Sequence, residues 1–227
     1  MNLLVLWDVD YTLLNAGGLG TRLYQDVFRE MFGRELTATA PKAGRTDRAI
    51  AIDTLALAGV PGPREHVDAF LAALARRIAE VDGEPGWSVV ALPGASAAIA
   101  AIAAHDGVRQ SVLTGNIRPL AELKLRTAGL GEHLDLDAGA YGDCHENRAE
   151  LVDVARDAAK RRYGLDFPGG ATVLIGDTPL DVAAARAGGA RVIAVATGSY
   201  SVADLAGADA VLADLTGVVP VITKYEA

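Results

Sequence analysis

The sequence predicts an α/β fold: a doubly wound, Rossmann-like parallel sheet core with an inserted α-helical unit. Three observations predict it. Short apolar runs at 3–6, 110–113, 171–175, 191–196 and 210–212 have the composition of strands buried on both faces of a parallel sheet. Between the later runs lie helix-period segments at 96–104, 119–128, 148–163 and 180–187, and strands alternating with helices of that length imply right-handed crossovers. The interval 15–88 holds helical patterns at 20–32, 45–58 and 64–81 and no convincing β run, far more chain than one crossover needs.

Taken in order, the first run continues into Trp7 and is closed by Asp8 and Asp10, two acids at the carboxyl end of the opening strand. The chain then leaves the sheet for the helical interval. Gly17 and Gly18 punctuate its start, and Gly83, Pro85 and Gly86 its end; these are candidate hinges. The core accordingly comprises 1–14 with 89–227, and the insert 15–88. On the chain's return, the run 110–113 passes into Thr114, Gly115 and Asn116, and 134–138 is a weaker strand candidate. Arg148 opens the helical pattern 148–163, and the run 171–175 leads into Gly176, Asp177, Thr178, Pro179, Leu180 and Asp181.

Composition sets the bounds. A chain of 227 residues buries roughly 70% of its unfolded surface, enough for a core without disulfides or structural metals. With 51% hydrophobic and 22% charged residues it is neither a disordered tail nor a low-complexity scaffold. Its 21 basic and 29 acidic residues give a net charge of −8, with no basic run, so no nucleic-acid partner is expected. The single cysteine, Cys144, excludes an internal disulfide and fits a reducing compartment. The opening apolar run lacks a basic flank and is cut by Asp8 and Asp10, and no stretch reaches the ~20 apolar residues of a membrane span. A cytoplasmic protein, monomer or homodimer, with no membrane partner is the expectation.

Chemistry concentrates in the acids. Side chains at i and i+2 of a strand point the same way, so Asp8 and Asp10 share one site, beyond the carboxyl end of a strand where open α/β sheets bind ligands. Two like charges brought together call for a cation or a proton. Asp177 also ends a strand, and Asp181 falls in the first turn of the next helix, where capping explains one acid and not two. Convergence of Asp8, Asp10 and Asp177 would make a hard oxygen site suited to Mg²⁺. The four histidines show no zinc-ligand spacing. Thr114, Gly115 and Asn116 before a helix suit an oxyanion or phosphate cradle, and equally a plain strand-to-helix turn. Arg148, a cation at a predicted helix start, opposes the macrodipole and so points to phosphate or to Asp8 as its partner, with Lys124 the competing cation.

The order Asp8-Val9-Asp10-Tyr11-Thr12, then Thr114, then a basic residue, then 176–181, resembles the haloacid dehalogenase superfamily. Within it the likeness is to the phosphatases with a helical cap after the first strand, the phosphoglycolate phosphatase and β-phosphoglucomutase group. The resemblance implies Asp8 as nucleophile, Asp10 as general acid and base, Thr114 as a phosphoryl ligand and Arg148 as stabilising cation. It also implies Mg²⁺ on Asp8, Asp177 and the Asp10 carbonyl, with Asp181 behind them. Tyr11 departs from the pattern's glycine, and Arg148 stands where many relatives have lysine.

The implied activity is hydrolysis of a small phosphorylated metabolite. A carboxylate attacking phosphorus splits the reaction into two halves, each needing one proton transfer, which Asp10 can provide. Cations must offset the repulsion between a dianion and carboxylates. Residues 15–88 carry 9 basic and 10 acidic residues, against 12 and 19 in the remainder. Substrate choice is assigned to the insert, to Arg22 and to the loop Gly44-Arg45-Thr46-Asp47, which resembles a loop that faces the site in relatives; either arginine could pair with a substrate carboxylate or second phosphate. The alternatives are a phosphomutase, a phosphonatase using Lys42, and a non-catalytic ligand-binding relative. A dehalogenase needs neither an acid at Asp10 nor a magnesium site, and a receiver domain is about half this length with no large insert.

Overall fold

The computed structural model describes residues 2–83 and 87–226; Pro85 and Gly86, two of the candidate hinges, lie outside the described residues. β1 (Leu3–Trp7) leads through β2 (Leu14–Asn15) to helices α1 (Leu19–Phe32), α2 (Asp47–Leu57) and α3 (Pro63–Val81). β3 (Val90–Ala91) returns the chain to α4 (Ala95–Ala103), β4 (Val108–Val112) and α5 (Arg118–Thr127). The remainder is α6 (Glu150–Tyr163), β5 (Thr172–Gly176), α7 (Pro179–Ala187), β6 (Arg191–Val195), β7 (Ala210–Leu212) and α8 (Val218–Glu226).

The sheet order is β4-β1-β5-β6-β7, with every pairing parallel. β1 is fully buried along its length, and its side chains alternate between two apolar clusters. Leu3, Val5 and Trp7 join residues of α1–α5 and α8; Leu4 and Leu6 join residues of α6 and α7. Both faces are therefore covered, the arrangement expected of strands without polar alternation. β1 lies between β4 and β5, so the chain passes to one side of it and then back to the other. The carboxyl ends of these three strands adjoin at that reversal, where a crevice opens.

α1 buries Leu19, Leu23, Tyr24, Val27 and Phe28, one stripe at helical spacing. α3 packs on α1, on α2 and on α5, and the apolar cluster runs without a break from the sheet face into these helices. The chain crosses from sheet to helices and back as a two-stranded antiparallel ribbon, Leu14 opposite Ala91 and Asn15 opposite Val90.

The structure differs from the sequence reading at four places. Residues 134–138 are no strand: Asp135 accepts from the Asp137 N–H and closes a single 3₁₀ turn, Leu136–Ala138. Arg148 precedes α6 by two residues, in a turn, and so does not open the helix. The β2–β3 ribbon, two residues per strand, was not anticipated. Nor was α8, whose Pro220 sits in its first turn, where no intrahelical N–H is needed. Among the described residues no helix is long and apolar enough to cross a membrane.

Candidate active site

The site is built where β1 and β5 end side by side. The Asp8 N–H donates to the Ile175 carbonyl at 2.8 Å, extending the β1–β5 pairing by one residue and fixing Asp8 beside the end of β5. Asp177 follows β5, and Asp181 is the third residue of α7. The carboxylates of Asp8, Asp177 and Asp181 lie within 4.8 Å of one another, and all three residues are buried. A capping box sets Asp181: Thr178 Oγ1 accepts from its N–H at 3.2 Å, and its Oδ2 accepts from the Thr178 N–H at 3.0 Å. Bare backbone encloses the cluster. A Cβ at Gly176 would lie 2.3 Å from Asp181 Cγ, and one at Gly198 would lie 1.9 Å from Asp177 Oδ2.

Packing three acids together perturbs them. Burial pushes the Asp8 carboxyl up to about 6; Arg148 opposes this, while Asp181 and Asp10 reinforce it. Burial, then Asp8 and Asp181, push Asp177 up to about 8. Arg148 is the counter-charge: its Nη2 lies 3.0 Å from Asp8 Oδ1 and 2.6 Å from Asp181 Oδ1, and donates to the Leu113 carbonyl at 3.3 Å. Burial works against the guanidinium charge, but Asp181 and Asp8 hold Arg148 above its ordinary value. One guanidinium facing three carboxylates leaves an excess of buried negative charge. Hard, acceptor-only oxygens around such an excess are the donor set that a small divalent cation takes.

Asp10 enters the same cavity but turns its carboxylate away from the cluster. Lys124 Nζ lies 2.6 and 2.8 Å from its two oxygens, and Asn116 Nδ2 donates to it at 2.7 Å. Asn116 Oδ1 in turn accepts from Lys124 at 2.7 Å. The third carboxylate of the cluster is thus Asp181 and not Asp10, whose carboxylate is held instead by the buried ammonium of Lys124 on α5. Thr114 Oγ1 accepts from Asn116 N at 3.3 Å and from Asn116 Nδ2 at 2.8 Å, contacts that leave its own hydroxyl proton unused.

A cavity of about 210 Å³ opens between these residues and the helices of 15–88, with Asp8, Asp10, Thr114 and Asp177 on one wall and Tyr24, Lys42 and Arg45 on the other. At roughly 10–15 Å³ per water-sized group, it suits a small metabolite. The two walls are joined by Asp47: its N–H donates to the Gly115 carbonyl at 2.6 Å, and its carboxylate accepts from the Ile117 N–H and the Tyr24 hydroxyl, both at 2.9 Å. The approach is main chain on main chain. A Cβ at Gly115 would fall 1.9 Å from the Arg45 carbonyl oxygen, and one at Gly142 would fall 1.8 Å from the Gly115 oxygen.

Both arginines assigned to substrate binding have other partners. Arg45 lines the cavity, but its Nη2 pairs with Asp53 Oδ2 at 2.5 Å and its Nη1 donates to the Pro41 carbonyl at 3.1 Å. Arg22 does not line the cavity: it is exposed and its guanidinium stacks 4.5 Å from the Trp87 ring centroid. Sequence reasoning placed Asp47 in the candidate substrate loop 44–47 but missed that it joins the two walls, and it missed Tyr24 altogether. An acid opening α2 looks like a dipole partner, and only the tertiary fold brings it to the Ile117 amide.

Tyr11 lines the cavity and holds φ 57°, the one described non-glycine residue at positive φ. That conformation costs a side-chain-bearing residue about 1–2 kcal/mol, and glycine's larger loss of freedom on folding offsets part of any relief. Tyr11→Gly is therefore expected to raise unfolding free energy by about 0.5–1 kcal/mol, read as an upward shift of the thermal midpoint. A downward shift would mean that the Tyr11 ring contributes more packing than its 48% exposure implies.

The fold has close counterparts. CbbY from Rhodobacter sphaeroides in complex with phosphate matches with a TM-score of 0.67, at 22% identity over 96% of each chain. A mutant of the same protein in complex with xylulose 1,5-bisphosphate matches at 0.64, with 23% identity over 95% of each chain. A hydrolase from Pseudomonas syringae matches at 0.66, with 18% identity over 99% of each chain. At these identities the likeness is one of fold. No curated protein sequence matches. The family model for haloacid dehalogenase-like hydrolases matches residues 5–186, and the chain belongs to that family.

Proposed function

We propose that the protein is a Mg²⁺-dependent phosphatase that hydrolyses a small phosphorylated metabolite through an aspartyl-phosphate intermediate. The observation that carries this reading is the buried cluster of Asp8, Asp177 and Asp181 within 4.8 Å, paired with Arg148 and facing the cavity. Asp8 is the nucleophile: a carboxylate oxygen bonds to phosphorus as the ester P–O bond breaks. Asp10, two residues along the chain, gives its proton to the departing oxygen. In the second half Asp10 takes a proton from the water that attacks phosphorus, freeing phosphate and restoring Asp8.

The Thr114 hydroxyl, with the turn through Gly115 and Asn116, binds phosphoryl oxygens, and Arg148 spreads their charge. Asp8 and Asp177, with the Asp10 carbonyl and with Asp181 behind them, would hold Mg²⁺, which supplies charge neutralisation for the incoming dianion. Residues 1–14 with 89–227 act as the core, and 15–88 as a cap that closes over the ester and excludes water. The ligands in the two CbbY structures, phosphate and a sugar bisphosphate, support a phosphorylated substrate of this size.

A screen of phosphorylated metabolites for phosphate release, run with Mg²⁺ and after chelation, tests the reading. Release is expected only with the metal and without any bisphosphate additive. Release that survives chelation would remove the metal, and a product that keeps its phosphate on a different hydroxyl would make the enzyme a mutase.

A further inference from the structure

Lys42 stands apart from every other cation near the cavity. Arg148 is bound to Asp8 and Asp181, Lys124 to Asp10, and Arg45 to Asp53, while Arg22 lies outside the cavity, stacked on Trp87. The Lys42 ammonium lines the cavity, donates to Thr21 Oγ1 at 2.8 Å and sits 5.0 Å from the Tyr24 ring centroid. Among the described residues no carboxylate pairs with it. The two nearby acids are committed elsewhere, Asp47 to Ile117 N and Tyr24 and Asp10 to Lys124 and Asn116. A partly buried ammonium with only a hydroxyl and a ring for company is under-satisfied, and the first turn of α1 beside it carries no acid.

We infer that Lys42, with the Thr21 hydroxyl, is the anchor for a second anionic group of the substrate, a carboxylate or a second phosphate, held on the wall opposite the nucleophile. This rests on the phosphatase reading above and narrows its substrate class from phosphomonoesters at large to those carrying another anion. It also moves the anchor from the two arginines to the insert's single lysine. Burial lowers the Lys42 ammonium to about 8; Asp47 and Asp10 act against the shift and Lys124 adds to it. An arriving anion would supply the missing counter-charge. The groups facing Nζ are Thr21 and Tyr24 of α1, Asp47 of α2, Lys124 of α5 and Asp10 after β1.

Three hydrolysis-resistant phosphonates test it by calorimetric binding to the Mg²⁺-loaded protein: ethylphosphonate, phosphonoacetate and ethane-1,2-bisphosphonate. At pH 7 at least one of the doubly anionic ligands is expected to bind about tenfold or more tightly than ethylphosphonate, and which one wins identifies the second group. In Lys42→Met that preference should collapse to within about twofold, Lys42→Arg should keep most of it, and in the wild type it should shrink as pH rises from 7 to 9 while Lys42 loses its proton. A wild type that does not discriminate, or a preference that survives in Lys42→Met, overturns the assignment. Because binding needs no turnover, a protein that prefers the double anion yet hydrolyses no phosphoester would refute the phosphatase reading and leave the subsite standing.

Discussion

Asp8→Asn is expected to lower phosphate release about a thousandfold or more, about 4 kcal/mol of barrier, while leaving the protein folded. Asparagine has nearly the shape of aspartate, and its amide oxygen can still accept from Arg148 Nη2, which lies 3.0 Å from Asp8 Oδ1. The backbone bond from residue 8 to the Ile175 carbonyl does not depend on the side chain. What disappears is the nucleophilic oxygen, so acid-quenched reactions should yield labelled phosphoenzyme from the wild type and none from the variant. Turnover within tenfold of wild type in a folded variant would show that Asp8 does not attack phosphorus.

The second large effect is on stability and has an unusual sign. Asp8 and Asp177 are pushed up to about 6 and about 8 in the folded protein, whereas an unfolded chain releases these protons near pH 4. The folded state binds more protons than the unfolded state between those limits, so the contribution of these groups to stability is fully present below about pH 4 and is lost as pH rises towards 8. The metal-free protein is thus expected to lose about 4 kcal/mol between pH 5.5 and pH 8, a fall of roughly 8–16 °C in thermal midpoint. Millimolar Mg²⁺ should restore most of the loss at pH 8 and little at pH 5.5, where protons already occupy the cluster. Asp177→Asn, tested metal-free, should flatten the profile and raise the midpoint at pH 8. A midpoint that climbs with pH in chelated wild type would contradict the crowding of unpaired acids described above.

Much of this was legible in the chain because it depends on neighbours in sequence. Asp8 at the end of an unbroken apolar run, and Asp177 at the end of another, announce two strand ends. Pairing those strands through Val5–Val173 and Trp7–Ile175 brings the acids together with no further information. Thr178 and Asp181 are spaced as a capping box, so the placement of Asp181 was local too. Partner choice across the fold was not legible. Arg45 looks free in sequence but meets Asp53 in the second turn of α2, Arg22 finds an indole more than sixty residues away, and Lys124 takes Asp10 from the cluster. Such pairings are decided by distances across the tertiary fold, which hydrophobic periodicity does not encode. The β2–β3 ribbon escaped for a simpler reason: two residues cannot show a period.

The contact between the start of α2 and the Thr114–Asn116 turn has a consequence for how such an enzyme can diversify. Gly115 meets the Arg45 carbonyl, and Gly142 meets Gly115, through atoms that every amino acid shares. Residues whose side chains point into the cavity from that roof can therefore be exchanged over generations, or in a designed library, without loosening the seam that shuts it. Exchange at Lys42 and Arg45 should change substrate preference and leave the fold standing, whereas exchange at the two glycines should break the seam, so a lineage could change its diet while keeping its lock.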